Sequence, residues 1–103
     1  MLNVDSQKVR REQMRWMLLL ALNNGRPEPV AEWLMTATVR DVIPSATELE
    51  IRRELDYLDD RKLVSVHRQP SGQWLAELTR HGVDVVEYTV DCEPGIARPA
   101  KYW

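Results

Sequence analysis

The sequence lacks the features that are typical of secreted and membrane proteins, namely cysteine pairs and long apolar runs. Its 103 residues include no phenylalanine, four glycines and a single cysteine, Cys92. One cysteine cannot form an internal disulfide, which favours a reducing compartment, the cytoplasm. The longest apolar run, from Trp16 to Leu22, is shorter than the ~20 residues that cross a bilayer. No apolar stretch follows the charges near the N-terminus, so we expect neither a signal peptide nor a membrane partner.

The sequence also lacks the motifs of catalysis and metal binding. His67, His81 and Cys92 are too few and too scattered for a zinc site, which usually needs four ligands in paired spacings. The four glycines do not form a phosphate-binding loop, and no nucleophile motif is present. We therefore expect no enzyme activity, no metal and no cofactor.

What remains is the composition of a small globular domain, 44% hydrophobic and 29% charged. We predict one domain over residues 1–91, followed by an extended tail over residues 92–103 that contains proline and glycine. The formal net charge is −2, whereas a nucleic-acid-binding domain usually carries a positive balance or a basic stripe.

The first half of the chain predicts two helices. Helix 1 begins near Asp5 or Ser6 and runs to about Asn24, with Gly25 at its C-terminal cap. Its apolar residues point in every direction, which favours cover by a second subunit. We therefore predict a homodimer whose interface includes Trp16, Leu19 and Leu20. Helix 2 has Pro29 in its first turn, ends near residues 39–40, and turns these residues inward: Val30, Trp33, Leu34 and Ala37.

A third helix and a hairpin follow. Ser45-Ala46-Thr47-Glu48 and Thr47-Glu48-Leu49-Glu50 both fit a capping box, so the helix starts at one of two places and ends near residues 60–62. The apolar period then changes from 3.6 to 2, which predicts strands over residues 63–69 and 73–78 around a turn at 70–72. Thr79 is placed to cap a fourth helix.

This order of elements and the segment from Glu54 to Gly82 resemble the winged helix–turn–helix superfamily. The matching residues are Leu55 and Leu58 in the third helix, Leu63-Val64 at the first strand, and the exit Leu78-Thr79-x-x-Gly82. The resemblance covers about residues 7–90. It implies a mainly α (α+β) fold of three helices, a two-stranded β-wing and a C-terminal helix.

A narrower resemblance concerns the whole chain and its tail from Glu93 to Pro99. Over the whole chain, and in this tail segment in particular, the sequence is similar to small uncharacterised proteins of Mu-like prophages. This resemblance implies a role in phage regulation or near DNA packaging.

Winged helices usually bind double-stranded DNA, with the third helix in the major groove and the wing on the backbone. The candidate DNA contacts lie before and on the third helix and on the wing: Arg40, Thr47, Arg52, Arg53, Tyr57, His67, Arg68, Gln69, Ser71 and Gln73. A transcriptional regulator or DNA-associated accessory factor is the leading hypothesis.

The charges of the third helix support an alternative. From Ser45 to Lys62 the sequence has six acids and four bases, and acids in a groove oppose binding to phosphates. These charges could instead form a solvated face with pairs such as Glu48–Arg52. The densest basic group lies in helix 1, at Lys8, Arg10, Arg11 and Arg15. The alternative function is a protein-interaction or assembly module that does not bind DNA.

Overall fold

A computed structural model describes residues 5–103 of the chain, so residues 1–4 of the predicted domain lie outside it. The described residues form an α+β domain of four helices and one three-stranded antiparallel sheet. In chain order the elements are α1 (Ser6–Gly25), β1 (Val30–Ala31), α2 (Glu32–Arg40), α3 (Glu48–Asp60), β2 (Val64–Arg68), β3 (Trp74–Leu78) and α4 (Arg80–Val86).

Helix α1 is the central element of the core. Its N-terminus is capped by the Asp5 carboxylate, which accepts hydrogen bonds from the backbone N–H groups of Gln7 and Lys8. Six of its side chains are buried: Met14, Trp16, Leu18, Leu19, Ala21 and Leu22. A helix that is apolar around much of its circumference needs cover on several sides, and α1 contacts α2, α3, α4 and the sheet.

The capping box that starts α3 is the second of the two candidates in the sequence. Thr47 Oγ1 accepts from the Glu50 N–H, and the Glu50 carboxylate accepts from the Thr47 N–H. The helix then buries Ile51, Leu55 and Leu58 against the core, as its apolar spacing predicts.

Strands β2 and β3 form the predicted hairpin, and β1 adds a third strand that the sequence analysis missed. The sheet order is β1-β3-β2, with Val30 opposite Ala76 and Val64 opposite Leu78. Because Val30 and Ala31 pair with β3, they cannot belong to a helix that starts at Pro29, and α2 begins instead at Glu32.

Of the four residues predicted to face inward, Val30 is buried, as a residue of β1, whereas Trp33, Leu34 and Ala37 of α2 are exposed. The helix buries Met35, Thr36 and Val39, whereas Trp33 and Leu34 are 66% and 44% exposed. The spacing of residues 33, 34 and 37 also fits a helical stripe, but that stripe faces away from the core.

Residues 92–103 contain no helix or strand, and this tail packs on the helices. Ile96 is buried, and the Ala97 N–H donates to the Glu12 carbonyl oxygen of α1. The Arg98 guanidinium donates to the carbonyl oxygens of Val85 and Val90, at and beyond the end of α4. The tail is thus part of the cover over α1.

The same packing buries the residues that were predicted to form a dimer interface. Trp16 is 8% exposed and meets the ring of Tyr88 edge to face, while Leu19 is fully buried. Leu20 is partly buried and packs against the same core. The apolar circumference of α1, the reason for predicting a dimer at these residues, is thus mostly covered within one chain, and only Val9 of its large apolar side chains is exposed.

No helix within residues 5–103 combines the length and apolar character needed to cross a lipid bilayer.

Candidate nucleic-acid interface

Two acids of α3 are turned toward α1 and are neutralised there. The Arg10 guanidinium donates to both oxygens of Glu50, at 2.8 and 3.0 Å, and Arg15 donates to Glu54 at 2.7 Å. The hydrogen bonds from Arg10 lower the pKa of Glu50 to about 2, against the effect of partial burial. Two of the four bases in the α1 cluster are therefore engaged within the chain.

The Arg15–Glu54 pair lies deep in the structure and holds the tail. Glu54 is only 5% exposed, and the Arg15 guanidinium also donates to the Gly95 carbonyl oxygen at 2.8 Å. The same guanidinium stacks 3.5 Å from the ring centre of Tyr57. Tyr57, predicted as a DNA contact, thus faces α1 and the tail rather than the hairpin.

Arg52 connects three elements on the other side of α3. Its guanidinium forms a two-pronged ion pair with Glu32 of α2 and donates to the Gly72 carbonyl oxygen in the hairpin turn at 2.8 Å. It also lies 4.7 Å from the ring centre of Trp74 on β3. The hydrogen bonds from Arg52 lower the pKa of Glu32. Arg52 therefore ties α2, α3 and the hairpin turn into one surface.

Arg68 approaches the same tryptophan from β2. Its guanidinium lies 4.5 Å from the Trp74 ring centre and donates to the Asp56 carboxylate of α3 at 2.5 Å. Next to it on β2, His67 Nε2 lies 2.8 Å from a carboxylate oxygen of Glu77. Trp74 thus contacts two guanidinium groups, and each of them has a carboxylate partner.

We call this region the α3–hairpin surface. It comprises Arg52, Arg53 and Asp56 of α3, Arg68 and Trp74 of the strands, and the turn at residues 69–73. The turn is closed by the Gln69 N–H, which donates to the Gln73 carbonyl oxygen, and Gln69 and Ser71 are exposed. Arg53 is exposed and has no ion-pair partner among residues 5–103.

Two further predicted DNA contacts have local structural roles. The Thr47 hydroxyl caps α3 as described above. The Arg40 guanidinium donates to the Ala46 carbonyl oxygen at 2.7 Å, which bridges the turn between α2 and α3. Arg40 has no carboxylate partner among residues 5–103, so its charge is not neutralised by an ion pair.

The bases of this surface could be named from the sequence, whereas Glu32, Asp56 and Trp74 were not predicted to belong to it. One signal was available, since Arg52 and Asp56 are four residues apart and must share a helix face. Glu32 gives no such signal, because it reaches Arg52 from a different helix. The predicted Glu48–Arg52 pair is not formed, and Arg52 pairs with Glu32 instead.

A second surface, between α1 and α2, is apolar. Trp33 and Leu34 are exposed at the start of α2. Leu34 also lines a half-open cleft of about 220 Å³, together with Ala21, Asn24, Gly25, Val30 and Thr38. None of these lining side chains is charged.

Within residues 5–103, no three His, Cys, Asp or Glu side chains converge in a way that could hold a metal ion. Comparisons of the chain with protein-family models, with curated proteins and with solved structures return no match.

Proposed function

We propose that the chain is a winged-helix protein that binds double-stranded DNA through the α3–hairpin surface. Three helices precede the hairpin, the hairpin follows α3 directly in the chain, and its β3 strand also pairs with β1; this arrangement supports the proposal. The observation that carries the proposal is the bridge made by Arg52. By joining α2, α3 and the wing turn, it presents the outer face of α3 and the wing on the same side of the domain.

The acids of α3 oppose this proposal less than their number suggests. Glu50 and Glu54 face α1 and are paired there, away from the α3–hairpin surface. Asp59 and Asp60 lie at the C-terminal end of α3, whereas recognition helices contact base edges mainly with their N-terminal residues. Around the N-terminal half, the exposed charges without an ion-pair partner are Glu48 and Arg53.

In this proposal, the exposed basic and uncharged polar side chains of the α3–hairpin surface contact DNA, as does Arg40. Arg53 points outward from α3 and contacts a base edge or a phosphate in the major groove. Arg68 and the polar turn residues Gln69 and Ser71 contact the DNA backbone beside the major groove. Arg40 lies next to the start of α3 and contacts a phosphate on the other side of the groove. Of these three arginines only Arg68 is already paired with a carboxylate, which reduces its contribution to affinity. Because the contacts are largely to phosphates, binding depends strongly on salt.

The resemblance to proteins of Mu-like prophages supports a role as a phage regulator or DNA-associated accessory factor. Cys92 is a free, half-buried cysteine, and burial raises the pKa of its thiol.

The test is fluorescence anisotropy of a labelled mixed-sequence duplex of about three helical turns, measured over a range of salt concentrations. We expect binding that weakens steeply with salt, and a roughly tenfold loss of affinity for Arg53→Ala. Arg80→Ala is the matched control, because Arg80 is also highly exposed but lies on α4. Absence of binding to any duplex at low salt would refute the proposal.

A second candidate function is favoured by the exposed apolar residues of α2. Trp33 and Leu34, of which Leu34 lines an uncharged cleft, can pair with the same surface of a second copy without like-charge repulsion. The chain would then be an assembly module that does not bind DNA, and its dimer contact would lie on α2 rather than on α1.

The mass of the protein in solution at micromolar concentration tests this second function. A dimer that Trp33→Ala converts to a monomer, in a protein that binds no duplex at low salt, would support it. Leu49→Ala is the control, since Leu49 is similarly exposed on α3. A monomeric wild-type protein would exclude it.

A further inference from the structure

We propose that Asp56 competes with DNA phosphate for Arg68, and thereby sets the affinity and the salt dependence of DNA binding. This inference rests on the proposed DNA-binding function. It concerns the ion pair between α3 and the wing, in which the Arg68 guanidinium donates to Asp56 at 2.5 Å.

The Arg68–Asp56 pair can open at little cost. The two side chains are 49% and 54% exposed, so water competes for both groups and the pair is weak. The Arg68 guanidinium also stacks on Trp74, and this contact does not depend on Asp56. When the carboxylate leaves, the tryptophan ring keeps the guanidinium on the α3–hairpin surface.

The neighbouring Arg52–Glu32 pair is different. The Glu32 side chain is 12% exposed, binds Arg52 through both oxygens, and also accepts from the Trp74 N–H at 3.4 Å. Removal of this carboxylate would leave the part-buried Trp74 N–H without this acceptor and the Arg52 guanidinium without its carboxylate partner. Arg52 is therefore fixed within the domain, and Arg68 is the exchangeable arginine of the surface.

A DNA phosphate that approaches the wing has the same chemistry as the carboxylate it replaces, with anionic oxygens that accept from a guanidinium. After the exchange, Asp56 remains beside the phosphate as an unpaired negative charge. Both the exchange and the repulsion weaken binding. Phosphates are the same in every sequence, so Asp56 lowers affinity for all duplexes by a similar factor.

The experiment measures duplex affinity of the wild type, Asp56→Asn and Asp91→Asn by anisotropy at several salt concentrations. Asp91→Asn removes the same charge from the segment after α4, where Asp91 has no ion pair among residues 5–103. We expect Asp56→Asn to bind about fivefold more tightly at low salt, with a salt slope steeper by about one unit. In an Arg68→Ala background most of the gain should disappear, and only the part due to repulsion between Asp56 and the phosphate should remain.

The outcomes separate this inference from the proposed function. A gain for Asp56→Asn that depends mostly on Arg68 and exceeds that of Asp91→Asn supports the competition. If the wild type binds DNA but the two asparagine variants behave alike, the competition is refuted and DNA binding stands. If neither the wild type nor Asp56→Asn binds, the proposed function is refuted, and the inference with it.

Discussion

Gly82 offers a test in which two known effects have opposite signs. It lies in the first turn of α4, is buried, and donates its N–H to the Thr79 hydroxyl that caps the helix. Alanine has a higher helix propensity than glycine, so Gly82→Ala should stabilise an isolated helix by about 1 kcal/mol. A prediction from propensity alone would therefore expect a more stable protein.

The packing around Gly82 reverses that expectation. A Cβ atom at this position would lie 2.1 Å from the Leu63 carbonyl oxygen, and 3.2 Å from Leu78 Cδ2. The carbonyl cannot move freely, because it accepts a hydrogen bond from the Thr79 N–H at 3.1 Å. Overpacking costs ~1–3 kcal/mol, and a weakened hydrogen bond adds ~1 kcal/mol. We expect Gly82→Ala to lower the free energy of unfolding by about 2 kcal/mol after the propensity gain is included.

Urea denaturation followed by tryptophan fluorescence measures this difference as a lower midpoint at an unchanged slope. His81→Ala is the control, since His81 is exposed in the same turn and gains propensity without a clash. It should be neutral or stabilising by a few tenths of a kcal/mol. A Gly82→Ala protein as stable as the wild type would show that α4 can move away from Leu63 at no cost, and the reasoning would fail.

Two further predictions concern the ion pairs between α1 and α3. Glu54→Ala should lower the free energy of unfolding by about 3 kcal/mol, because it leaves the largely buried Arg15 without its carboxylate partner. Asp60→Ala, at an exposed position, should change this free energy little. Urea denaturation measures both values. Glu50 has a folded-state pKa of about 2, below its usual 4.5, so its stabilising effect is present above pH 4.5 and is lost as the pH falls toward 2. The stability difference between the wild type and Glu50→Gln should shrink over that range, and a constant difference would contradict the assignment.

The parts of the fold that the sequence predicts are those with local signals. The Thr47–Glu50 capping box, the stripe of Ile51, Leu55 and Leu58, and the alternation in the hairpin each involve residues close together in the chain. Strand β1 has only two residues, too few for a period, and its partners in β3 are far along the chain. Its pairing is visible only in three dimensions, and it displaces the start of α2.

In the candidate site, too, the residues with a local sequence signal could be predicted and the others could not. The bases on α3 and the wing could be named from the sequence, because exposure follows from helix and strand periodicity. Their partners could not, since Glu32 and Asp56 meet Arg52 and Arg68 across separate elements. The cover over α1 also escaped prediction, because a tail without a periodic apolar pattern gives no sign of where it packs.

The bridge made by Arg52 has a consequence for the entropy of binding. An isolated two-stranded hairpin is only marginally ordered in water. Here its turn is attached to α3 through the Gly72 carbonyl oxygen, and its β3 strand is paired with β1 on the other side. The conformational freedom of the hairpin is therefore lost when the chain folds, and a ligand that meets this surface does not have to order it again.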